Sequence, residues 1–204
     1  MTIAIIDLGI SNIASVKNTL ENLGFNSIVT SSPEDLNNKK KIILPGVGSF
    51  PKAMQAIKLK NWDKILKKKI YDEKSSILGI CLGMQILGSI GYEIERTEGL
   101  NFIEGSIESF EKNKCNLLLP HVGWNEVHYS KNNPMFEKIP NNSDFYFVHS
   151  YIFREKDKEN ISATTKYKIS FTSAIKKNNI WGVQFHPEKS SVAGKQLLSN
   201  FANI

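Results

Sequence analysis

Cysteine is scarce in this chain of 204 residues. Only Cys81 and Cys115 are present, too few for a disulfide framework and in keeping with a reducing compartment. No apolar stretch approaches the ~20 residues that span a bilayer, and Met1-Thr2-Ile3 runs into a strand pattern with no cationic leader. A cytoplasmic protein without a membrane partner is therefore expected. The sequons Asn141-Asn142-Ser143 and Asn160-Ile161-Ser162 carry no weight without a secretory signal. Cys115, His121, His128 and His149 follow no CxxC, HxxxH or related ligand spacing, so neither a metal nor a cofactor is expected. Internal repeats, low-complexity tracts and long linkers are missing too, which points to one domain over residues 1–204.

Hydrophobic residues make up 41% of the chain and charged residues 23%, the balance of a folded globular protein rather than a disordered one. The net charge of +6 raises the question of a nucleic-acid partner. The lysines are scattered, however, and no RNA- or DNA-reading signature accompanies them, so none is expected. The densest basic run, Lys67-Lys68-Lys69 after Lys64, falls on what reads as the solvated face of a helix containing Trp62, Ile65, Leu66 and Ile70.

The first half alternates strand and helix. Ile3 to Ile6 reads as a buried strand and Asp7-Leu8-Gly9 as a loop. A helical pattern at Ile13, Val16, Leu20 and Leu23 follows, closed by Gly24. Ile28-Val29 and Lys41 to Leu44 are short strands, a helical region covers about Pro51 to Ile70, and Ile77 to Ile80 is another buried strand. After about Gly99 the pattern becomes β-like, at Ser106–Phe110, Trp124–His128, Phe145–His149, Ile169–Ile175 and Ile180–Phe185. A last helix, from about Ser190 to Phe201, is expected to turn Val192, Leu197, Leu198 and Phe201 inward. This order predicts an α/β fold of the flavodoxin-like kind, an open, mostly parallel twisted sheet with helices on both faces. Additional antiparallel strands are expected in the C-terminal half. In such sheets the ligand crevice lies at the carboxyl ends of the strands.

Two chemical motifs fall at those ends. Cys81 stands in Gly79-Ile80-Cys81-Leu82-Gly83, directly after a predicted strand and before a predicted helix. A nucleophile elbow has this form: flanking glycines permit the tight turn, the sulfur is displayed at a helix N-terminus, and the next amide, of Leu82, is aimed at a developing oxyanion. A buried, inert cysteine explains Cys81 equally well by itself, and Cys115, lacking this setting, is read that way. A thiol of ordinary pKa near 8.5 also needs a base. Gly182-Val183-Gln184-Phe185-His186-Pro187-Glu188 supplies one at the end of a strand. His186 can take the thiol proton and later give it to a leaving amine, and Glu188 can hold the far imidazole nitrogen in one tautomer.

Gly-Ile-Cys-Leu-Gly-Met-Gln together with Gln-Phe-His-Pro-Glu-Lys-Ser resembles the class I, or triad, glutamine amidotransferases. Within that family, Pro45-Gly46-Val47-Gly48-Ser49-Phe50, Pro120-His121-Val122-Gly123-Trp124-Asn125 and Phe147-Val148-His149-Ser150-Tyr151 are similar to the glutaminase subunits of imidazole glycerol phosphate synthases. The resemblance runs from the first strand to the last helix. It implies hydrolysis of the glutamine side-chain amide through a thioester on Cys81, with His186 and Glu188 completing the triad. The oxyanion hole it implies is the amide of Leu82 and, after a peptide reorientation, that of Val47. Gly48, Gln85, Glu93 and the segment His149-Ser150-Tyr151 are implied in holding L-glutamine, with Glu93 pairing its ammonium group. His149 itself reads as a structural histidine rather than a second base. The implied partner is a (β/α)8-barrel cyclase of histidine biosynthesis, forming a heterodimer and receiving the ammonia through protein, with Asn12, Trp124, Tyr146 and Lys189 near the interface. Trp124 reads equally as a core tryptophan.

The first loop departs from the family's Asp-Tyr-Gly-x-Gly-Asn, reading Asp7-Leu8-Gly9-Ile10-Ser11-Asn12, and Leu118 stands where a basic residue is common. Both departures question which synthase is served. A paralogue feeding another synthase, such as one aminating a surface-polysaccharide sugar, and a stand-alone cysteine hydrolase of the same fold remain as alternatives. A non-catalytic scaffold is disfavoured by the complete Cys81, His186 and Glu188 set.

Overall fold

Ile3 to Ile6 carries no polar residue on either side of its pleat, and both sides are buried. In a computed structural model describing residues 1–9, 12–110, 118–129 and 133–204, this strand, β1, is the second of a parallel block. The loop residues Ile10 and Ser11, and Cys115 with its reading as an inert thiol, lie outside the described residues. β1 pairs in parallel with β2 (Ser27–Thr30) and β3 (Lys41–Gly46). β3 pairs with β4 (Ser76–Cys81), and β4 with the distant β13 (Ile180–Val183), so the block runs β2-β1-β3-β4-β13. Alternate residues of β1 serve opposite faces. Ile3 and Ile5 join a core with Val16 and Leu20 of α1 (Ile13–Asn22) and Leu197, Leu198 and Phe201 of α5 (Ser191–Asn203). Ala4 and Ile6 join the other, with Ile57 of α2 (Phe50–Leu59) and Trp62 and Leu66 of α3 (Trp62–Lys67). Two covered faces explain why these strands read as unbroken apolar runs.

Beyond β13 the sheet turns antiparallel through β12 (Ile169–Lys177), β10 (Tyr151–Glu155) and β7 (Gly105–Ser109); β7 then pairs in parallel with the short β5 (Ile90–Gly91), and β5 antiparallel with β6 (Thr97–Glu98). A branch from β12 through β11 (Ile161–Tyr167) reaches β8 (His121–Tyr129), which pairs with β9 (Ser143–His149). The α/β architecture and the added C-terminal strands are those the sequence predicts. β10 and β11 are additions to that reading. Arg154 and Glu155 in the first, and the threonine-rich Ala163-Thr164-Thr165-Lys166 in the second, give little apolar alternation to find.

Two local expectations need correction. The helical region from about Pro51 to Ile70 is interrupted at Asn61, whose φ of 57° is left-handed, and ends in a π-helical turn over Lys68–Asp72. There Glu73 N donates to Lys68 O, five residues back, at 3.1 Å. The wider turn rotates Lys69 inward: it is 3% exposed and its Nζ lies 2.6 Å from Glu73 Oε2, while Lys64, Lys67 and Lys68 stay on the solvated face. Val192 is the second correction, being 78% exposed. It lies nine residues before Phe201, about half a turn out of phase at ~100° per residue, so the inward face of α5 begins at Gly194. Leu198→Ala should therefore lower the stability by about 2 to 5 kcal/mol, and Val192→Ala should stay within about 0.5 kcal/mol of the parent. Urea midpoints of the two variants check this; equal losses would contradict it.

Candidate active site

β4 ends at Cys81 and a short helix, α4 (Leu82–Ile86), starts at the next residue. The bend is made at the cysteine, with φ 54° and ψ −111°, a region that costs a non-glycine residue on the order of 1–3 kcal/mol. Close packing holds it there. A Cβ on Gly83 would fall 1.7 Å from Leu44 O, and one on Gly79 would fall 2.5 Å from Gly83 O. The elbow is thus pressed against β3 and its own strand with no space for a side chain.

The parallel register of β4 and β13 pairs Ile80 with Val183, so the chain leaving β13 passes Cys81. Three residues on, His186 is pinned by its backbone: its N donates to Tyr146 O at 2.9 Å, and its O accepts from Ser190 Oγ at 2.6 Å. The same hydroxyl accepts from Tyr146 N at 3.0 Å, tying the turn to β9. The side chains of His186 and Glu188 are both buried, and Nδ1 donates to Glu188 Oε1 at 2.8 Å. Nε2 is buried with no hydrogen-bond partner among the described residues. Burial opposes a charged imidazole, but the Cys81 sulfur and the Glu188 carboxylate outweigh it and hold His186 well above the ordinary value, at about 10. Cys81 Sγ also lies 3.8 Å from Val148 O and 3.8 Å from Gln184 Nε2.

A cavity of about 280 Å³ opens at Cys81. Val47, Gly48, Leu82, Gln85 and Glu93 line one side, and Pro120 with Val148 to Tyr151 the other. Glu93 is held in place: its Oε2 accepts from Phe50 N, at the N-terminus of α2, at 2.7 Å. Gln85 Nε2 donates to Tyr151 O at 3.1 Å and to Gln184 Oε1 at 3.0 Å, so both its hydrogens are committed and its Oε1 is the atom free to meet a ligand. Gly48 has a φ of 99° with nothing within 4 Å of an added Cβ. The Val47–Gly48 loop therefore has space around it, with a backbone conformation that suits glycine. A cleft of about 20 Å³, lined by Asn12, Val47, His186, Glu188 and Lys189 among others, shares Val47 with the cavity.

Trp124, Tyr146 and Lys189 form one exposed cluster. Trp124 is 54% exposed, which excludes the core reading. Its ring meets that of Tyr146 edge-on at 6.2 Å, and Lys189 Nζ lies 5.6 Å from the Tyr146 ring centre. Trp124 pairs with Tyr146, and Val122 with Val148, across the β8–β9 ladder. One face of that hairpin is consequently apolar and open, beside the residue whose carbonyl touches the sulfur.

The sequence matches the family Glutamine amidotransferase class-I over residues 4–204. The chain belongs to that family. It is 47% identical to "Imidazole glycerol phosphate synthase subunit HisH 2" of Methanococcus maripaludis, over 98% of each chain. It is 44% identical to "Imidazole glycerol phosphate synthase subunit HisH 1" of Campylobacter jejuni, over 99% of this chain and 100% of that one. The fold of the solved structure of PurLQS from Thermotoga maritima overlays with a TM-score of 0.77 at 17% identity, covering 99% of this chain and 97% of that one. As a class-I glutamine amidotransferase the chain is an enzyme.

Four groups of this amidotransferase's site carry no role in the sequence reading. Gln184 and Ser190 lie inside the quoted Gln-Phe-His-Pro-Glu-Lys-Ser motif, and complete burial of both is the signal that sequence lacks. The Val148 carbonyl is invisible because any residue has one. His121 is the fourth. Asn125 Nδ2 lies 3.3 Å from His121 Nε2, His121 Nδ1 lies 3.0 Å from His149 Nε2, and His149 Nδ1 lies 2.8 Å from Tyr151 O. Since Tyr151 O can only accept, His149 carries its proton on Nδ1, and the chain of donors runs from Asn125 to the cavity wall. Burial of the rings lowers His121 to about 4 and His149 to about 3, so both stay neutral near pH 7.

These imidazoles protonate in the unfolded chain near pH 6.5 and only well below that when folded. The contribution of these two histidines to stability should then be complete above about pH 6.5 and decline as pH falls toward about 4. The buried His149 contributes up to about 1.4 kcal/mol per pH unit to the slope. Urea unfolding across that window should show His149→Asn flattening the decline. An unchanged slope would contradict the neutral pair.

Proposed function

We propose that this chain is the glutaminase subunit of an imidazole glycerol phosphate synthase, releasing ammonia from L-glutamine for a (β/α)8-barrel cyclase in histidine biosynthesis. The observation that carries the reading is a buried His186–Glu188 pair, its imidazole basicity raised in part by the Cys81 sulfur, beside a cavity of about 280 Å³ that Cys81 lines. Relatives covered end to end and named for that synthase support the choice of product.

In the proposed cycle the Cys81 proton resides on His186, and the sulfur attacks the side-chain carbonyl carbon of glutamine. The oxyanion is met by the amide of Leu82 and, once the loop has turned, by that of Val47; one such donor is worth about 3 kcal/mol of barrier. The imidazolium then passes its proton to the departing ammonia, leaving a thioester on Cys81. His186 next takes a proton from water, which attacks the thioester carbon, and glutamate leaves as the sulfur is expelled. Glu188 holds the imidazole's Nδ1–H throughout. Glu93 faces the substrate's ammonium group, Gln85 offers its Oε1, and the backbone of His149-Ser150-Tyr151 closes the other side. Val47, shared by the cavity and the cleft, is the gate, and the Asn12, Trp124, Tyr146 and Lys189 face receives the barrel. Ammonia needs that cover because in water at neutral pH it is mostly protonated and no nucleophile.

A second reading, a paralogue serving a different synthase, is favoured by the altered first loop and by Leu118, which is fully displayed to solvent in place of a basic residue. Co-purification with a barrel subunit, followed by an assay with the histidine-pathway ribonucleotide, separates the two. In the complex Cys81→Ala should abolish glutamine-dependent synthesis and spare ammonia-dependent synthesis. His186→Ala should behave alike and Glu188→Gln more mildly. Loss of both activities in Cys81→Ala would assign the cysteine a structural role instead.

A further inference from the structure

Gln184 is fully buried two residues ahead of His186. A buried carboxamide is costly unless its polar atoms are satisfied, and both ends of this one are. Its Oε1 accepts from Gln85 Nε2 at 3.0 Å, and its Nε2 points at Cys81 Sγ at 3.8 Å, within reach of a hydrogen bond to sulfur. The orientation is forced by the network. Gln85 Nε2 brings two hydrogens, one to Tyr151 O and one to Gln184, so Gln184 must present its oxygen to Gln85 and its nitrogen to the sulfur.

We infer that Gln184 is a further catalytic residue of this glutaminase, a neutral N–H donor that stabilises the Cys81 thiolate, and that Gln85 is the positioning residue that keeps its amide aimed. The inference rests on Cys81 being the nucleophile. The sulfur's other neighbours explain why such a donor is needed. Val148 O, at 3.8 Å, can only accept, and so favours the protonated thiol. His186 favours the thiolate while it is charged, but it surrenders its proton to the leaving ammonia. Gln184 keeps both its hydrogens in every protonation state of the site. It therefore serves the sulfur as attacking thiolate in the first half-reaction and as leaving thiolate in the second.

The test is alkylation of Cys81 by iodoacetamide as a function of pH in the full chain, read by mass spectrometry, for the parent, Gln184→Met and Gln184→Leu. Methionine keeps the volume and leucine provides a second variant if one fails to fold; thermal melting verifies each. The alkylation profile should move to higher pH by about one unit, with glutaminase kcat about tenfold lower near neutrality and recovering as the pH is raised. A purely structural role would lower kcat equally at every pH. Profiles coinciding with the parent's in a folded variant would overturn the inference while leaving Cys81 as nucleophile. Glutaminase activity surviving in Cys81→Ala would instead remove the reading on which it rests.

Discussion

The parallel pairing of β4 with β13 is the constraint on which the site depends. Gln184 and Cys81, 103 residues apart in sequence, touch because these two strands lie side by side at the centre of the sheet. Everything else at the site is arranged around that adjacency. β3 on the other side of β4 fixes the elbow through the Leu44–Gly83 contact, and β9 fixes the His186 turn through Tyr146 and Ser190. A strained residue such as Cys81 persists only where its surroundings over-determine it, and here packing against β3 and against its own strand does so.

Electrostatically the site separates its histidines by environment. Burial opposes a charged His186, but the Cys81 sulfur and the Glu188 carboxylate raise its pKa all the same; burial lowers those of His149 and His121 and keeps both neutral. One imidazole is thereby fitted to move a proton and two to transmit orientation. The donor chain from Asn125 ends on the same Tyr151 carbonyl that Gln85 uses. Asn125, on the face of β8 opposite Trp124, and the amide that meets the sulfur are thus joined through hydrogen bonds and a single carbonyl oxygen.

Much of this was legible in the sequence, for identifiable reasons. Strands buried on both faces announce themselves as apolar runs, and Gly79 and Gly83 announce a turn that only glycine can pack. Gln85, Glu93 and the His149-Ser150-Tyr151 segment line the cavity at Cys81, and Glu188 holds the His186 ring. What escaped depends on pairing rather than composition. β10 and β11 are held by their neighbours and not by their own alternation, and the π-turn that buries Lys69 has no residue signature. Val192 looks like core because its type is apolar, while the phase of α5 turns it outward. Gln184 and His121 escaped because a polar side chain in a motif reveals its partner only once its neighbours are placed.

On this structure the Cys81 sulfur and the Glu188 carboxylate together hold the buried His186 protonated well above the ordinary range. Nitrogen NMR of the His186 ring across pH tests it most directly, in the parent and in Cys81→Ala. The account predicts an imidazole that stays protonated well above the usual pH 6.5 in the parent and titrates at lower pH once the sulfur is gone. An imidazole titrating near the ordinary value and indifferent to loss of the cysteine would contradict it.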